Sequence, residues 1–499
     1  DPSDPDVPVW FGLTSAYAHL SPNPLVNDTF NRFMWVDGNQ PGTPAALKQN
    51  SLQRIKDADP AILLGVPAPT AAPTLVPTGG TVLTETRSYV YTYVNLFGEE
   101  GPPSPPVTAS AFSDATWTLG TMVDPTFAAD RGITHSRIYR TISGTLGTLF
   151  YRVATVTVAT ASYADTRLSS VVAGEGLVLE STTWEPPEDV EGFVEMPNGF
   201  FAAWSGKDVF FSEPFRPWAW PPQYTVAVAS RIVACGVIDQ TLVVLTESTP
   251  VLYIGTNPAA MSAVKSALIE PCIAARSVAQ TPEGVYYASH NGLALVTHNG
   301  SALVTREIIS HDEWAVDFTP RIAAAVGFDS QYLAFDDNGS GFILDSRSVQ
   351  SSVTLLANMA PVDNVWSDRW TSEAHMIAGN VVYLWGSPAA SFVTAEWISK
   401  DFHFQKPVNM GAVVVYFDPR YVSDSATSDF FTEPPALQGS PWSDQSSIIN
   451  YNRINGCAVN AVPTWGDAPP DNPSAAVWPY WYGVEAGEVP FDLPEGAAC

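Results

Sequence analysis

The hydrophobic positions of this chain fall in short runs of Val, Thr, Tyr and Phe, cut by Gly, Asn, Asp and Pro, and nowhere hold a 3.6-residue period through several turns. Runs of this length bounded by turn residues predict an all-β chain. From about residue 190 the runs recur. Five segments share a Gly, Asn or Gln turn followed by an apolar strand: "NGFFAAW" (198–204), "DQTLVVLT" (239–246), "EGVYYAS" (283–289), "DSQYLAF" (329–335) and "AGNVVYLW" (378–385). Their starts lie 41, 44, 46 and 49 residues apart, the spacing of β-propeller blades made of four-stranded sheets. Residues 190–400 are therefore expected to form a β-propeller of at least five blades; two stacked sandwiches are the alternative. Inside one unit, "YYASHNGLALVTHNGSALVT" reads as three strands joined at Asn-Gly pairs, the strongest two-residue hairpin signal.

Upstream, "RSYVYTYVNLFGEEGPPSPPV" alternates aromatic and polar residues, which puts Tyr89, Tyr91 and Tyr93 on one face of a strand. With "THSRIYRT", "LFYRVATVTV" and "SYADT" as further strands, residues 81–178 resemble a fibronectin- or immunoglobulin-like β-sandwich. The expected fold is thus all-β, a propeller with an inserted or appended sandwich module. "GVPAPTAAPTLVPTGG" (65–80) reads as a linker, so the module is expected to be separable and to lie outside the propeller. In the N-terminal segment, 1–64, "PAALKQNSLQRIKDADPAI" predicts a helix started by Pro44 and stopped by Pro60. The C-terminal part, 401–499, offers one strand, "MGAVVVYFDPRYV", and then an aromatic, proline-rich, acidic arm.

The chain has 499 residues and a formal net charge of −28, from 51 acidic and 23 basic side chains. Gripping nucleic acid takes Lys and Arg against the phosphates, so the average surface here repels it. No apolar run reaches the roughly 18 residues of a membrane-spanning helix. The cysteines, Cys235, Cys272, Cys457 and Cys499, form no CxxC pair, which argues against a thiolate zinc site. Cys235 and Cys272 sit in apolar runs and read as small core residues.

"FDDNGSGF" (335–342) places Asp336, Asn338 and Ser340 at the first, third and fifth positions of a calcium loop. The twelfth position, which needs Glu, holds Arg347; a β-turn between strands is the better reading. His290 and His298 stand beside Asn-Gly turns. No nucleophile elbow, phosphate loop or HExxH motif is present. "SDATW" and "WSDRW" lack the full sialidase repeat. No catalytic, cofactor-binding or metal-binding residue is nominated, and a non-enzyme is expected.

The segment "FFSEPFRPWAWPPQYTV" (210–226) is neither helix nor clean strand. Pro214, Pro217, Pro221 and Pro222 fix φ and remove amide donors, so they hold an irregular strand-to-strand crossing. Trp218 and Trp220 supply packing area, either as an inter-blade linker or as a subunit contact. The segment opens a series: Ser212-Glu213-Pro214 with Trp220-Pro221; Leu242 to Thr246 followed by Gly255, Pro258 and Met261-Ser262; Tyr287-Ala288-Ser289 with Gly292-Leu293; and Trp397 with Ser399-Lys400, Pro407 and Gly411. In this order, over about 190–415, the chain resembles the tail nozzle, or tail tubular protein B, family of short-tailed bacteriophages and related prophage structural proteins.

The resemblance implies a virion protein, a propeller-bearing ring of six at the distal end of the tail. Its partners would be adaptor or other tail proteins and fibres, with transient contact to the host envelope. Double-stranded DNA would pass through its channel during ejection without specific binding, and residues 1–64 would contribute to the nozzle platform. A competing reading is a secreted glycan-binding or glycan-cleaving propeller, with aromatic arms such as "WPYWYG" (478–483) stacking on sugars. A third is a host-surface adhesin.

Overall fold

A computed structural model describes residues 12–387, apart from 16, 26, 39–41, 121, 123–124, 143–148, 320–321, 346–351, 368–372 and 380, together with 453–454 and 457–458. Residues 1–385 form one compact unit and 386–499 a second. In the second, beyond Gly386 and Ser387, the described residues are a two-stranded antiparallel ladder, Arg453–Ile454 against Cys457–Ala458. The strand and arm expected after 401 lie outside the described residues.

The chain opens with a meander of four strands, β1 (Ala18–Pro22), β2 (Arg32–Asp37), β3 (Lys48–Ser51) and β4 (Ile62–Leu63), paired in that order. The helix expected from Pro44 to Pro60 shrinks to α1 (Leu52–Lys56), capped by the Ser51 side chain. Its predicted first turns are strand β3 instead. There Gln49 and Asn50 are buried and bonded, Gln49 Nε2 to Glu99 and Asn50 Nδ2 to the Asp59 carbonyl. Tertiary pairing overrides the local helical preference.

Seven strands follow: β5 (Thr74–Thr78), β6 (Thr84–Asn95), β7 (Val107–Phe112), β8 (Thr116–Gly120), β9 (Ile133–Thr141), β10 (Phe150–Thr157) and β11 (Ser162–Asp165). They form a four-stranded sheet, β10-β9-β6-β7, and a three-stranded sheet, β11-β8-β5. Both sheets feed one core: Tyr89, Tyr91 and Tyr93 of β6 meet Trp117 and Leu119 of β8. The tyrosines share a face as the alternation predicts. The other face is covered too, since Val90 and Thr92 are buried. The expected linker 65–80 contains β5, so the module begins earlier than residue 81. It is a two-sheet sandwich. It belongs to the same compact unit as its surroundings.

After the short helix α2 (Ser169–Glu175) come four further four-stranded meanders. These are β12 (Gly192–Met196) to β13 (Phe200–Ser205), β14 (Asp208–Phe211) and β15 (Val226–Ala227); β16 (Ile232–Ile238), β17 (Thr241–Thr246), β18 (Val251–Ile254) and β19 (Ser262–Lys265); β20 (Ala279–Thr281), β21 (Gly284–Ser289), β22 (Gly292–Thr297) and β23 (Gly300–Leu303); and β24 (Ala324–Phe328), β25 (Gln331–Phe335), β26 (Gly341–Asp345) and β27 (Ser352–Leu356). A last sheet shows three described strands, β28 (Asn364–Ser367), β29 (Ala374–Ala378) and β30 (Val381–Leu384). The first strands stand side by side in the series β1, β12, β16, β20, β24, β28. Sequential antiparallel meanders with their first strands innermost make a β-propeller.

The N-terminal sheet is therefore a propeller sheet beside β12–β15, and the sandwich is inserted between the two. The sequence expectation had set residues 1–64 apart from the propeller. Second strands are the most buried: Phe200 to Trp204, Leu242 to Leu245, Val285 to Ala288 and Tyr332 to Phe335 are all solvent-excluded. Sheets cover both of their faces, so their sequences run apolar without alternation. Four of the five recurring segments are these second strands. The fifth, "AGNVVYLW", is out of phase: it carries the third strand β30, and the equivalent of the others is β29.

The hairpins also differ in register from the Asn-Gly expectation. Ser289 pairs with Gly292 and Thr297 with Gly300, so the two-residue turns are His290-Asn291 and His298-Asn299. The glycines open the next strands with φ of +149° and +142°. "FDDNGSGF" is the β25–β26 turn, where the Asp336 carboxylate accepts from Asn338 N (2.9 Å) and Ser340 N (2.6 Å). Cys235 and Cys272 are buried free thiols, as core residues.

The proline-rich segment 210–226 joins β14 to β15 within a single sheet, not one blade to the next. It nonetheless reaches outward. Trp220 packs with Met34, Val36, Leu47 and Leu64 of the N-terminal sheet. The Trp218 indole N–H donates to the Glu100 carbonyl of the sandwich (3.2 Å).

Candidate functional site at the mouth of the propeller axis

A cavity of about 810 Å³ opens where the innermost strands end, lined by Glu195 of β12, Val237 of β16, Gln280 of β20, Phe328 of β24 and Ser367 of β28. Strands from five sheets thus converge on one mouth. Close approach of β20 and β24 there depends on Gly327: a Cβ at this position would stand 2.1 Å from the Gln280 carbonyl oxygen. Gly327→Ala is expected to cost about 1–3 kcal/mol by overpacking, read as a lowered urea midpoint; an unchanged midpoint contradicts the close contact.

Turn chemistry places carboxylates at this mouth. Ile238 pairs with Thr241 and Phe328 with Gln331, leaving the two-residue turns Asp239-Gln240 and Asp329-Ser330. Asp239 (φ +43°), Asp329 (φ +46°) and Ser330 (φ +61°) occupy the left-handed region, which Asp tolerates better than most side chains. Asp239 and Asp329 join Glu195 in the lining, and no Lys or Arg is among the described lining residues. Glu195 accepts from Ser21 Oγ of β1 (3.1 Å). Asp239 meets His298 Nε2 of the β22–β23 turn at 2.6 Å. His298, read from sequence as a surface-turn residue, is one and also touches this rim. His290 is not part of it.

At the opposite ends of the inner strands, arginines tie one sheet to another, Arg231 linking neighbours and Arg276 reaching past β24 to β28. Arg231 pairs with Glu191 at 3.2 Å. Arg276 donates to the Asp363 carbonyl and to Asn364 Oδ1; burial lowers its pKa from the usual guanidinium value, against the Tyr17 and Asp363 charges that raise it. Tyr17, just before β1, has its phenol pushed up to about 12, first by burial and then by Glu191. Between these ends, His19 of β1 is wedged edge-on between Tyr17 and Trp204 (5.4 and 5.3 Å between ring centroids). The residue is half-buried, and burial of the ring lowers its pKa to about 4.

Among the described residues, no group of three His, Cys, Asp or Glu side chains could hold a metal ion. The mouth offers carboxylates, a carboxamide and hydroxyls beside Phe328 and Met196. Such a lining suits a cationic or polyhydroxylated molecule and repels phosphate. The acids were visible in sequence as turn markers, in "DQTLVV" and "DSQYLA"; that they share one rim needed the ring of inner strands.

No family model matches the chain, and no curated protein matches it. Solved structures with a partial likeness include Hsv2 of Kluyvelomyces marxianus (10% identity, 50% of this chain and 72% of that one, TM-score 0.25). Apo AztD of Citrobacter koseri gives 10% identity, 59% and 77% coverage, and a TM-score of 0.28. The WD40 domain of Neurospora crassa Pan2 gives 8% identity, 54% and 85% coverage, and a TM-score of 0.29. Likeness at this level carries no argument about function.

Proposed function

We propose that this chain is a non-catalytic structural subunit of a short bacteriophage tail, a nozzle ring that forms the distal DNA-ejection conduit and docks other tail proteins. The observation that carries the reading is the ordered motif series over 190–415. Its described members occupy defined places: the β14–β15 connection, strand β17, the β18–β19 connection, and the β21–β22 hairpin. Its last members, from Trp397 to Gly411, lie outside the described residues. A cavity of about 810 Å³ is of small-molecule size and has no room for a duplex. A DNA conduit must therefore be built between copies, around a ring axis distinct from the propeller axis. A net charge of −28 favours sliding over gripping, since a weak repulsion is screened within about 8 Å at physiological salt.

The test is electron microscopy with native mass measurement on purified chain and on particles that contain it. The expected result is a closed ring of six with no measurable affinity for free duplex DNA at physiological salt. A monomer in the assembled particle, or a belt of Lys or Arg lining the ring channel, overturns the reading. The acidic cavity mouth favours one second reading, a glycan-binding or glycan-cleaving propeller. Calorimetric titration with neutral and amino-sugar oligosaccharides separates the two: saturable binding that Asp329→Asn abolishes supports the second.

A further inference from the structure

The inserted sandwich interrupts the propeller between two sheets that stand side by side, so something must hold the first of them in place. Beside the apolar packing of Trp220 on that sheet, one loop bonds it to both neighbours. We propose that the Gly98-Glu99-Glu100-Gly101 turn is a clasp: the inserted module locks the N-terminal sheet into the propeller seam through it, and opening it frees that sheet while the other sheets stay folded.

Glu99 leaves the sandwich and enters the N-terminal sheet. Its carboxylate, 1% exposed with the whole residue, meets Arg32 of β2 at 2.5 Å and accepts from Gln49 Nε2 of β3 at 2.6 Å. Asn95 Nδ2 of its own module donates to it at 2.6 Å. Arg32 is itself 5% exposed, bonded to Asp28 at 3.0 Å, with its guanidinium over the Phe97 ring at 5.1 Å. Glu100 points back into the sandwich, to Arg137 (2.6 Å), Tyr139 (2.8 Å) and Thr92 (2.5 Å). Its backbone carbonyl takes the Trp218 indole from the β14–β15 connection (3.2 Å). Two adjacent glutamates thus bond three bodies: the N-terminal sheet, the sandwich and the neighbouring propeller sheet.

The backbone is fitted to the same purpose. A Cβ at Gly101 would stand 2.3 Å from the Val66 carbonyl oxygen, so only glycine lets the loop lie against the chain that leaves β4. Arg131 of the sandwich donates to the Leu64 and Gly65 carbonyls there. A buried carboxylate with a charged partner and two amide donors is costly to leave half-satisfied. The clasp is therefore closed fully or opened as a unit.

The role does not depend on the tail reading and is tested in the full-length chain. Peptide-resolved amide hydrogen exchange is measured for wild type and Glu99→Gln, which keeps the shape and removes the charge. Exchange over residues 32–51 and 95–101 is expected to rise at least tenfold, while 284–297 in β21–β22 stays at the wild-type rate. No local rise overturns the clasp. An equal rise everywhere also overturns it, because the residue would then serve global stability only. Should Glu99→Gln fail to fold, Gln49→Met removes one donor and keeps the volume. It must show the same local pattern at smaller amplitude, and its absence overturns the proposal.

Discussion

Asp165→Asn is expected to destabilise the sandwich module by about 3–5 kcal/mol, the scale of a buried ion pair broken on one side. Asp165 of β11 is fully buried, and so are Arg87 and Arg140. Its Oδ2 meets Arg140 Nε at 3.0 Å, accepts from the Tyr89 hydroxyl at 2.8 Å and lies 3.8 Å from Arg87. Oδ1 accepts from the Arg167 backbone N–H at 2.9 Å. Glu85 takes the other side of Arg87, and the Arg87 guanidinium covers the Trp117 ring at 4.7 Å. Two cations and two anions balance inside a core that joins β6 and β9 of one sheet to β11 of the other.

Asn keeps the shape at 165 but leaves two buried guanidiniums with one carboxylate between them. The measurement is thermal and urea unfolding, followed by exchange over 133–141 so that the module is read apart from the propeller. A loss under about 1 kcal/mol contradicts the argument. A companion variant, Glu85→Gln, Arg87→Met, Arg140→Met and Asp165→Leu together, should recover most of the loss, because removing a whole buried ionic group costs far less than orphaning one member.

The sequence carried the class of fold because second strands of a propeller are buried on both faces. That burial writes itself as "FFAAW", "LVVL" and "VYYA" at nearly regular spacing. It could not carry the count. The insert between β4 and β12 breaks the period, and β2, "RFMWVD", has Arg32 and Asp37 at its ends instead of a turn followed by a plain apolar run. Arg32 is there for Glu99, a partner far along the chain. The fifth repeat slipped by one strand because β29, "AHMIA", is less apolar than β30, "VVYL". "KQNS" carries no strand signal, because Gln49 and Asn50 look like surface residues until their buried bonds are seen. In the cavity mouth, Asp239 and Asp329 were legible as turn residues and Glu195 as nothing at all. Convergence of five inner strands is a property of closure about an axis, which no local pattern records.

Acidification from pH 7 to pH 4 is expected to loosen the seam between the N-terminal sheet and β12–β15 through His19. The ring sits edge-on against Trp204 and Tyr17. Burial disfavours its charged form and lowers the pKa from 6.5 to about 4. The unfolded chain titrates near 6.5. Between those values the unfolded state binds the extra proton, so stability rises with pH in that window and falls as pH drops through it. Two and a half units correspond to about 3.5 kcal/mol as an upper bound, at about 1.4 kcal/mol each; partial exposure of the residue brings the expected loss to about 1–3 kcal/mol. The contribution is fully present above pH 6.5 and fully lost below pH 4. Carboxylates across the chain titrate in the same range, so the wild-type profile alone does not isolate His19. The comparison is with His19→Phe, which keeps an aromatic ring against Trp204 and cannot take a proton. Thermal midpoints of both proteins are measured from pH 7.5 to pH 4, with exchange over 18–22 and 200–205 as the local readout. The variant is expected to start at or below wild type at neutral pH and to lose less on acidification, so the two curves converge or cross near pH 5. Parallel curves over the whole range would mean that the imidazole is open to water and that the seam is not sealed at this point.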